Sequence, residues 1–308
     1  CVYCGVQLCV GEAMRAGAGH APGSGADESE TLVSAAATRP QLSIVIPAYN
    51  EARRLPESFA RLHDELARQD SLAEVIVVND GSEDSTAAVV RALMGRWHAL
   101  RLIEIPHAGK GAAVQAGALA AQGAWIFLAD ADFSMPVQEL SRFSPAECPA
   151  ADVLIASREA PGAQRFGEPV YRHLMGRGFN FAVRRLLLPG ISDTQCGFKR
   201  LRREVALDLF LHQTITGWGF DVELLYVAQL RGYSIREAPI SWYYKSGSKV
   251  HPVRDTFSMG RDLLHVWRNA RSGAYQRRIV PHPALASESG AAINIEVSAT
   301  DDAASAVE

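Results

Sequence analysis

Leu42-Ser43-Ile44-Val45-Ile46-Pro47-Ala48-Tyr49-Asn50-Glu51 opens the organised part of the chain. Leu42 to Ile46 is a short apolar run that stops at a proline, the pattern of a buried strand ending there. Beyond it, Leu55, Phe59, Leu62 and Leu66 recur at helical spacing. Pro56 stands in the first turn, where a missing N–H costs nothing. The unit then repeats. Glu74 to Val78 is a β-branched run, and Asp84 can cap a helix carrying Ala87, Val90 and Leu93. Leu102 to Ile105 predicts a third strand, 109–122 an Ala-rich helix stopped by Gly123, and Trp125 to Ala129 a fourth strand. Such units predict an α/β fold with a mainly parallel sheet and helices on both faces. In an open sheet of this kind, ligands bind beyond the carboxyl ends of the strands. Tyr49-Asn50-Glu51, Asn79-Asp80 and Asp130-Ala131-Asp132 all stand at such ends.

After residue 150 the rhythm loosens. Val153 to Ala156 reads as a strand, Tyr171 to Leu188 as a helix with an Arg-rich face, and Phe220 to Leu230 as a helix. Tyr233 to Trp242 reads as extended, and Asp255 to Arg271 as a helix on which Phe257, Gly260, Leu264 and Trp267 share a face. Residues 1–39 are rich in Ala, Gly and Ser, and the segment from Pro281 onward holds five acids and no Lys or Arg. Neither buries enough apolar surface to offset chain entropy. A disordered tail over 1–39, one domain over 40–275 and a disordered acidic tail over 276–308 are therefore expected.

The whole chain has 308 residues, 48% of them hydrophobic and 21% charged, the balance of a globular protein. Residues 40–280 carry 29 Lys and Arg against 25 Asp and Glu. That mild excess suits an anionic ligand or a membrane surface and is too small for nucleic acid. Cys1, Cys4, Cys9 and His20 lack the second pair of a usual zinc site, and Cys148 and Cys196 read as reduced thiols. No run approaches the ~18 apolar residues that cross a bilayer. A cytoplasmic domain, soluble or peripheral on the cytoplasmic membrane face, is expected.

Asp130-Ala131-Asp132 carries the sharpest chemistry. Two carboxylates one residue apart behind an apolar strand repel each other and lose solvation. A divalent cation relieves both, and hard Mg²⁺ or Mn²⁺ prefers oxygen ligands and phosphate partners. Asp80, before Gly81-Ser82, suits either a nucleobase or ribose contact or a turn cap. Gly109-Lys110-Gly111 opens a helix whose amides and ammonium would accept a phosphate, although the spacing is not that of a P-loop. Arg158, Arg165, Arg172 and Arg177 cluster in sequence as candidates for a second phosphate, with a solvated charged face as the alternative for Arg165 and Arg172. The helix 255–271 either packs on the sheet or lies in a lipid interface. Trp218 and Trp242 could stack on a sugar or base, with core or rim packing as the default for each.

In order and spacing these motifs resemble the inverting family 2 glycosyltransferases of GT-A fold. Asp193-Thr194-Gln195-Cys196-Gly197-Phe198-Lys199, Phe220 to Leu225 and Gly247-Ser248-Lys249 resemble the branch containing dolichyl-phosphate glucosyltransferases and polyprenyl-phosphate mannose synthases. The resemblance spans about 42–275. It implies a nucleoside pocket of Pro47, Tyr49, Glu51, Val78 and Asp80 with Lys110 nearby. It places Asp130, Ala131 and Asp132 against a diphosphate, with Mg²⁺ or Mn²⁺ on the two acids. Arg158 and Lys249 would face phosphates, and Asp193 would lie by the sugar and acceptor, making Asp132 and Asp193 the implied catalytic pair. UDP-glucose is the implied donor and GDP-mannose the alternative, with a polyprenyl or dolichyl phosphate in a membrane as acceptor. A glycan hydroxyl acceptor, or a nucleotide-binding module without turnover, is the competing reading. Oligomeric state is not legible.

Overall fold

The computed structural model describes residues 39–69, 72–148, 151–245 and 252–276. The expectations for residues 1–38, for Lys249 and for the segment from 277 onward lie outside the described residues. In chain order the elements are β1 (Leu42–Ala48), α1 (Leu55–Arg68), β2 (Ala73–Asp80), α2 (Thr86–Met94), β3 (Leu100–Ile105), α3 (Lys110–Ala120) and β4 (Trp125–Leu128). There follow β5 (Val153–Ser157), β6 (Gln164–Phe166), α4 (Val170–Leu186), β7 (Lys199–Arg202), α5 (Arg203–His212), α6 (Phe220–Leu230), β8 (Ile235–Pro239), β9 (Ser241–Tyr243) and α7 (Pro252–Arg271).

One seven-stranded sheet runs β3-β2-β1-β4-β7-β5-β8, and β6 and β9 form a separate ribbon. Its strands are parallel except β7, which is antiparallel to both β4 and β5. The chain builds outward from β1 to β2 and β3, then crosses back to place β4 on the other side of β1. That reversal opens a crevice beyond the carboxyl ends of β1 and β4, which brings the segment after Ala48 beside the segment after Leu128.

Successive strand residues serve opposite faces. Val45, Ile76, Val78, Ile126 and Leu128 pack under α3, α5 and α6. Ile44, Ile46, Val75, Val77 and Phe127 pack with Leu55, Phe59, Leu62 and Leu66 of α1. Each such side chain contributes about 2 kcal/mol by leaving water. Gly117 lets α3 lie close on the sheet, since a Cβ there would fall 2.4 Å from Cγ1 of Val45. Asp84 does serve α2: its Oδ1 accepts from the Thr86 N–H at 2.9 Å, although the boundary residue is Ser85.

Three elements go beyond the sequence reading: β6, α5 and β7. Lys199-Arg200-Leu201-Arg202 carries three cations, yet it forms the reversed strand in the middle of the sheet. Arg200 is wholly buried because its guanidinium donates to the carbonyls of Phe143 at 3.1 Å and Cys148 at 2.7 Å and lies 4.2 Å over Trp125. Lys199 is paired with Asp221 of α6. Tyr233 to Trp242, expected as one extended stretch, divides into β8 and β9. Among the described residues no helix is long and apolar enough to cross a membrane.

Candidate active site

A cavity of about 590 Å³ lies beyond the carboxyl ends of β1, β2 and β4. Pro47, Tyr49, Glu51, Asp80, Lys110, Asp130, Ala131, Asp132, Arg158 and Asp193 all line it. Val78 does not. Its side chain is fully buried beneath α3, where a Cβ on Gly117 would approach it to 2.9 Å. Val78 shares its face of β2 with Asp80, but it lies two residues short of the strand end, under α3, whereas Asp80 closes the strand at the cavity.

The loops after β1 and β2 brace each other. Asn50 adopts a left-handed φ of 51°, which Asn tolerates better than most residues, and its Oδ1 accepts from the Glu83 N–H at 2.8 Å. The Glu51 N–H donates to Oγ1 of Thr86 at 2.8 Å, and its carboxylate pairs with Arg54 at 3.2 Å. Asp80 is buried and works on the backbone. Its two oxygens accept from the N–H groups of Ala108 at 2.8 Å and Gly109 at 3.0 Å, which shapes the turn into α3. His107 meets the same carboxylate at 3.0 Å and stacks on Tyr49 with centroids 4.3 Å apart. The result is a flat aromatic wall on one side of the cavity.

Gly109, with φ 108°, starts α3 and aims Lys110 across the cavity. The Lys110 ammonium lies 2.6 Å from Oδ1 of Asp130 and 5.3 Å from the Trp218 ring. Burial alone would lower its proton affinity, but the charges of Asp130 and Asp221 outweigh burial and raise it. Asp130 is held below the usual carboxylate range because Lys110 overcomes the cost of burial. Asp132 goes the other way. Burial, then the charge of Asp130, pushes it up, against a hydrogen bond from the Ser134 N–H at 3.0 Å. Two neighbouring carboxylates therefore have opposite environments: one matched by a cation, one short of positive charge. Phe133, just beyond them, holds a φ of 44°, a strained value for an aromatic residue.

Arg158, after β5, and Asp193 form a buried fork. Nε and Nη2 of Arg158 donate to the carboxylate at 2.7 Å and 2.9 Å, and the Arg158 N–H adds a third bond at 2.9 Å. Burial resists ionisation of Asp193, but Arg158 dominates and brings its pKa down to about 2. The arginine uses two of its three nitrogens and keeps Nη1 without a partner among the described residues.

Arg165 stays beside Arg158, lining the cavity 5.9 Å from the Trp242 ring, whereas Arg177 does not line it. Arg165 is neutralised by Glu159 and by Glu168 at 2.7 Å, and Arg177 is exposed on α4. The Arg172 side chain lies outside the described residues. Trp218 and Trp242, with packing as their default from sequence, both line the cavity, and Trp242 lies 5.7 Å from Arg158. His107 and Gly197 were not singled out from the sequence. Gly197 leaves room for the Asp130 carboxylate, since a Cβ there would sit 2.4 Å from its Oδ2 and displace it. Only its place in the motif 193–199 hinted at that role.

Among the described residues no group of three or more His, Cys, Asp or Glu could hold a metal. Two carboxylates, one of them short of positive charge, fit a hard cation that brings further oxygen ligands from an anionic substrate.

Comparison with known proteins places the chain. A model described as glycosyl transferase family 2 matches residues 43–210. Dolichyl-phosphate beta-glucosyltransferases of Mus musculus and Homo sapiens are each 35% identical over 254 residues, covering 77% of this chain and 78% of the relative. A solved glucosyl-3-phosphoglycerate synthase from Mycobacterium tuberculosis, in complex with Mn²⁺, UDP-glucose and phosphoglyceric acid, superposes with a TM-score of 0.54 at 20% identity, covering 82% of this chain and 86% of that one. At that identity it shows the shared fold alone.

Proposed function

This chain belongs to glycosyl transferase family 2, and on that premise we propose that it moves glucose from UDP-glucose to a polyprenyl or dolichyl phosphate, inverting the anomeric carbon. The domain doing so would span 40–275. The relatives are named dolichyl-phosphate beta-glucosyltransferases, which favours a glucose donor over GDP-mannose. The observation that carries the choice of acceptor is the state of Asp193. A hydroxyl acceptor needs a base, and a carboxylate held at about 2 by Arg158 is a poor one. A phosphate monoester needs none, because its second ionisation near pH ~6 leaves it charged at neutral pH.

In this reading the nucleoside lies along Pro47, Tyr49, Glu51 and Asp80, with the Tyr49–His107 wall beside the base. Asp130 and Asp132 would hold Mg²⁺ or Mn²⁺ against the diphosphate. That cation would supply Lewis-acid stabilisation of the departing charge. Lys110 neutralises Asp130 at rest and can turn its ammonium to the diphosphate oxygens when Asp130 takes another partner. Nη1 of Arg158 is available to an acceptor phosphate, while Asp193 fixes the guanidinium plane. An acceptor oxygen then forms its bond to C1 as the C1–oxygen bond to the β-phosphate breaks. The electron pair leaves with UDP, and no proton has to be removed.

The test is an acceptor panel. Purified protein with labelled UDP-glucose and Mn²⁺ is expected to convert short-chain polyprenyl phosphate into a β-glucosyl lipid phosphate and to leave an oligosaccharide unlabelled. Label on the oligosaccharide alone would sink the reading. A second expectation concerns Gly197. Gly197→Ala pushes a methyl group into the Asp130 carboxylate, and a displacement of this size costs about a hundredfold in kcat. The melting temperature should stay near that of the wild type, because the Asp130 side chain borders open cavity and can swing aside. Full activity in this variant would show that the Asp130 position is not critical.

A further inference from the structure

Helix α4 presents an apolar face that nothing among the described residues covers. Val170, Leu174 and Phe181 are 73%, 63% and 71% exposed, and Tyr171 is 59% exposed. At 3.6 residues per turn the first three fall within about 40° of one another around the helix. Val183, on the opposite side, is fully buried. Arg177, Arg184 and Arg185 are exposed and border the apolar stripe, and α4 contains no acidic residue. Just before the helix, Phe166 and Tyr243 stack at 4.6 Å while remaining about two-fifths exposed. The next turns inward, Met175 and Phe179, line the active-site cavity.

Apolar side chains flanked by cations describe a helix that lies in the plane of an anionic lipid surface. A packing helix of a globular domain shows the reverse arrangement, with its apolar face turned inward. The geometry points to α4 as the membrane-docking element of this protein, seated on an anionic lipid leaflet so that the cavity opens onto it beside Met175 and Phe179. The inference rests on the proposed lipid-phosphate acceptor: a long polyprenyl chain stays in the bilayer, and its phosphate reaches only an enzyme held at the headgroup level. The sequence offered the helix 255–271 for this role, with packing on the sheet as the alternative. In the structure α7 exposes Leu264 and Trp267, and α4 packs against it, so α7 can extend the same apolar surface.

The test compares full-length wild type with Leu174→Glu/Phe181→Glu and with Arg177→Gln/Arg184→Gln/Arg185→Gln, none of which lines the cavity. Flotation on vesicles of phosphatidylcholine with about a third phosphatidylserine should recover the wild type. The apolar double variant should lose about tenfold or more in partitioning, and the arginine triple variant should bind like wild type in high salt. Transfer to short-chain polyprenyl phosphate in solution should be unchanged in both, while transfer to long-chain acceptor in vesicles falls. Equal flotation of wild type and double variant would overturn the inference. So would a wild-type dimer, seen by light scattering, that the double variant splits into monomers without any vesicle binding. Vesicle binding without transfer to either acceptor would leave the docking surface standing and remove the acceptor assignment instead.

Discussion

Asp132→Asn is expected to lower transfer about a thousandfold or more and to leave the protein at least as stable as wild type. The two halves of that expectation have one cause. Asp132 is ionised at a cost, because burial and the charge of Asp130 both oppose it. An amide of the same shape keeps an oxygen for the Ser134 N–H and removes the like charge, so folding loses nothing. What disappears is the second anionic ligand for a divalent cation. A thousandfold loss corresponds to about 4 kcal/mol of transition-state stabilisation, a reasonable share for a metal contact to a leaving diphosphate. Single-turnover transfer and a melting curve measure the two halves separately. The melting curve carries a further readout, since Mn²⁺ with UDP at a hundred times their dissociation constant should stabilise wild type by about 2.7 kcal/mol and the variant far less. Wild-type turnover by Asp132→Asn would remove the carboxylate pair from the mechanism.

The four early strands and their helices were legible because burial there is mainly apolar, with the few buried polar groups such as Ser43 and Glu74 paired to each other. Leu42–Ala48 and Trp125–Leu128 hide apolar side chains on both faces, and a continuous apolar run is what such a strand looks like in sequence. β7 was illegible for the opposite reason. Its lysine and arginine are buried by partners far away in the chain: Asp221 for Lys199, and the carbonyls of Phe143 and Cys148 for Arg200. No local pattern announces a cation whose solvation is replaced by carbonyls some fifty residues distant.

The site divides in the same way. Asp130, Asp132, Asp80 and Lys110 stand at strand or helix ends, where topology alone predicts function, and the cavity gathers all four. Val78 belongs to the same motif but is fully buried under α3, two residues short of the strand end at which Asp80 meets the cavity. Trp218 joins the cavity from the turn before α6, and Gly197 matters only through its distance to Asp130. Both facts depend on tertiary approach between segments nearly seventy residues or more apart. The amphipathic helix 255–271 drew attention through its spacing, whereas α4 conceals its pattern in sequence by mixing arginines among the apolar residues it exposes.

The buried fork makes the second large prediction. Asp193→Asn leaves the Arg158 guanidinium enclosed with half its pairing gone, and breaking a buried pair from one side costs about 3–5 kcal/mol. For a domain of this size the melting temperature should fall by roughly 10 °C. Adding Arg158→Met should restore most of that loss, because the penalty belongs to the unpaired charge and not to the missing carboxylate. Transfer should remain low in the double variant, which has no guanidinium at position 158 to meet the acceptor phosphate. Acid sensitivity provides an independent measure. Asp193 falls from an ordinary 3.8 to about 2 on folding, so its contribution is complete above pH ~4 and is lost as pH drops through the lower value. The stability concerned is roughly 2 kcal/mol, and it should appear as a difference between wild type and double variant that closes between about pH 4 and pH 2. A single Asn variant as stable as wild type would mean that solvent reaches Arg158 freely. A double variant with normal turnover would mean that neither the arginine nor the carboxylate takes part in transfer and that the fork serves stability alone.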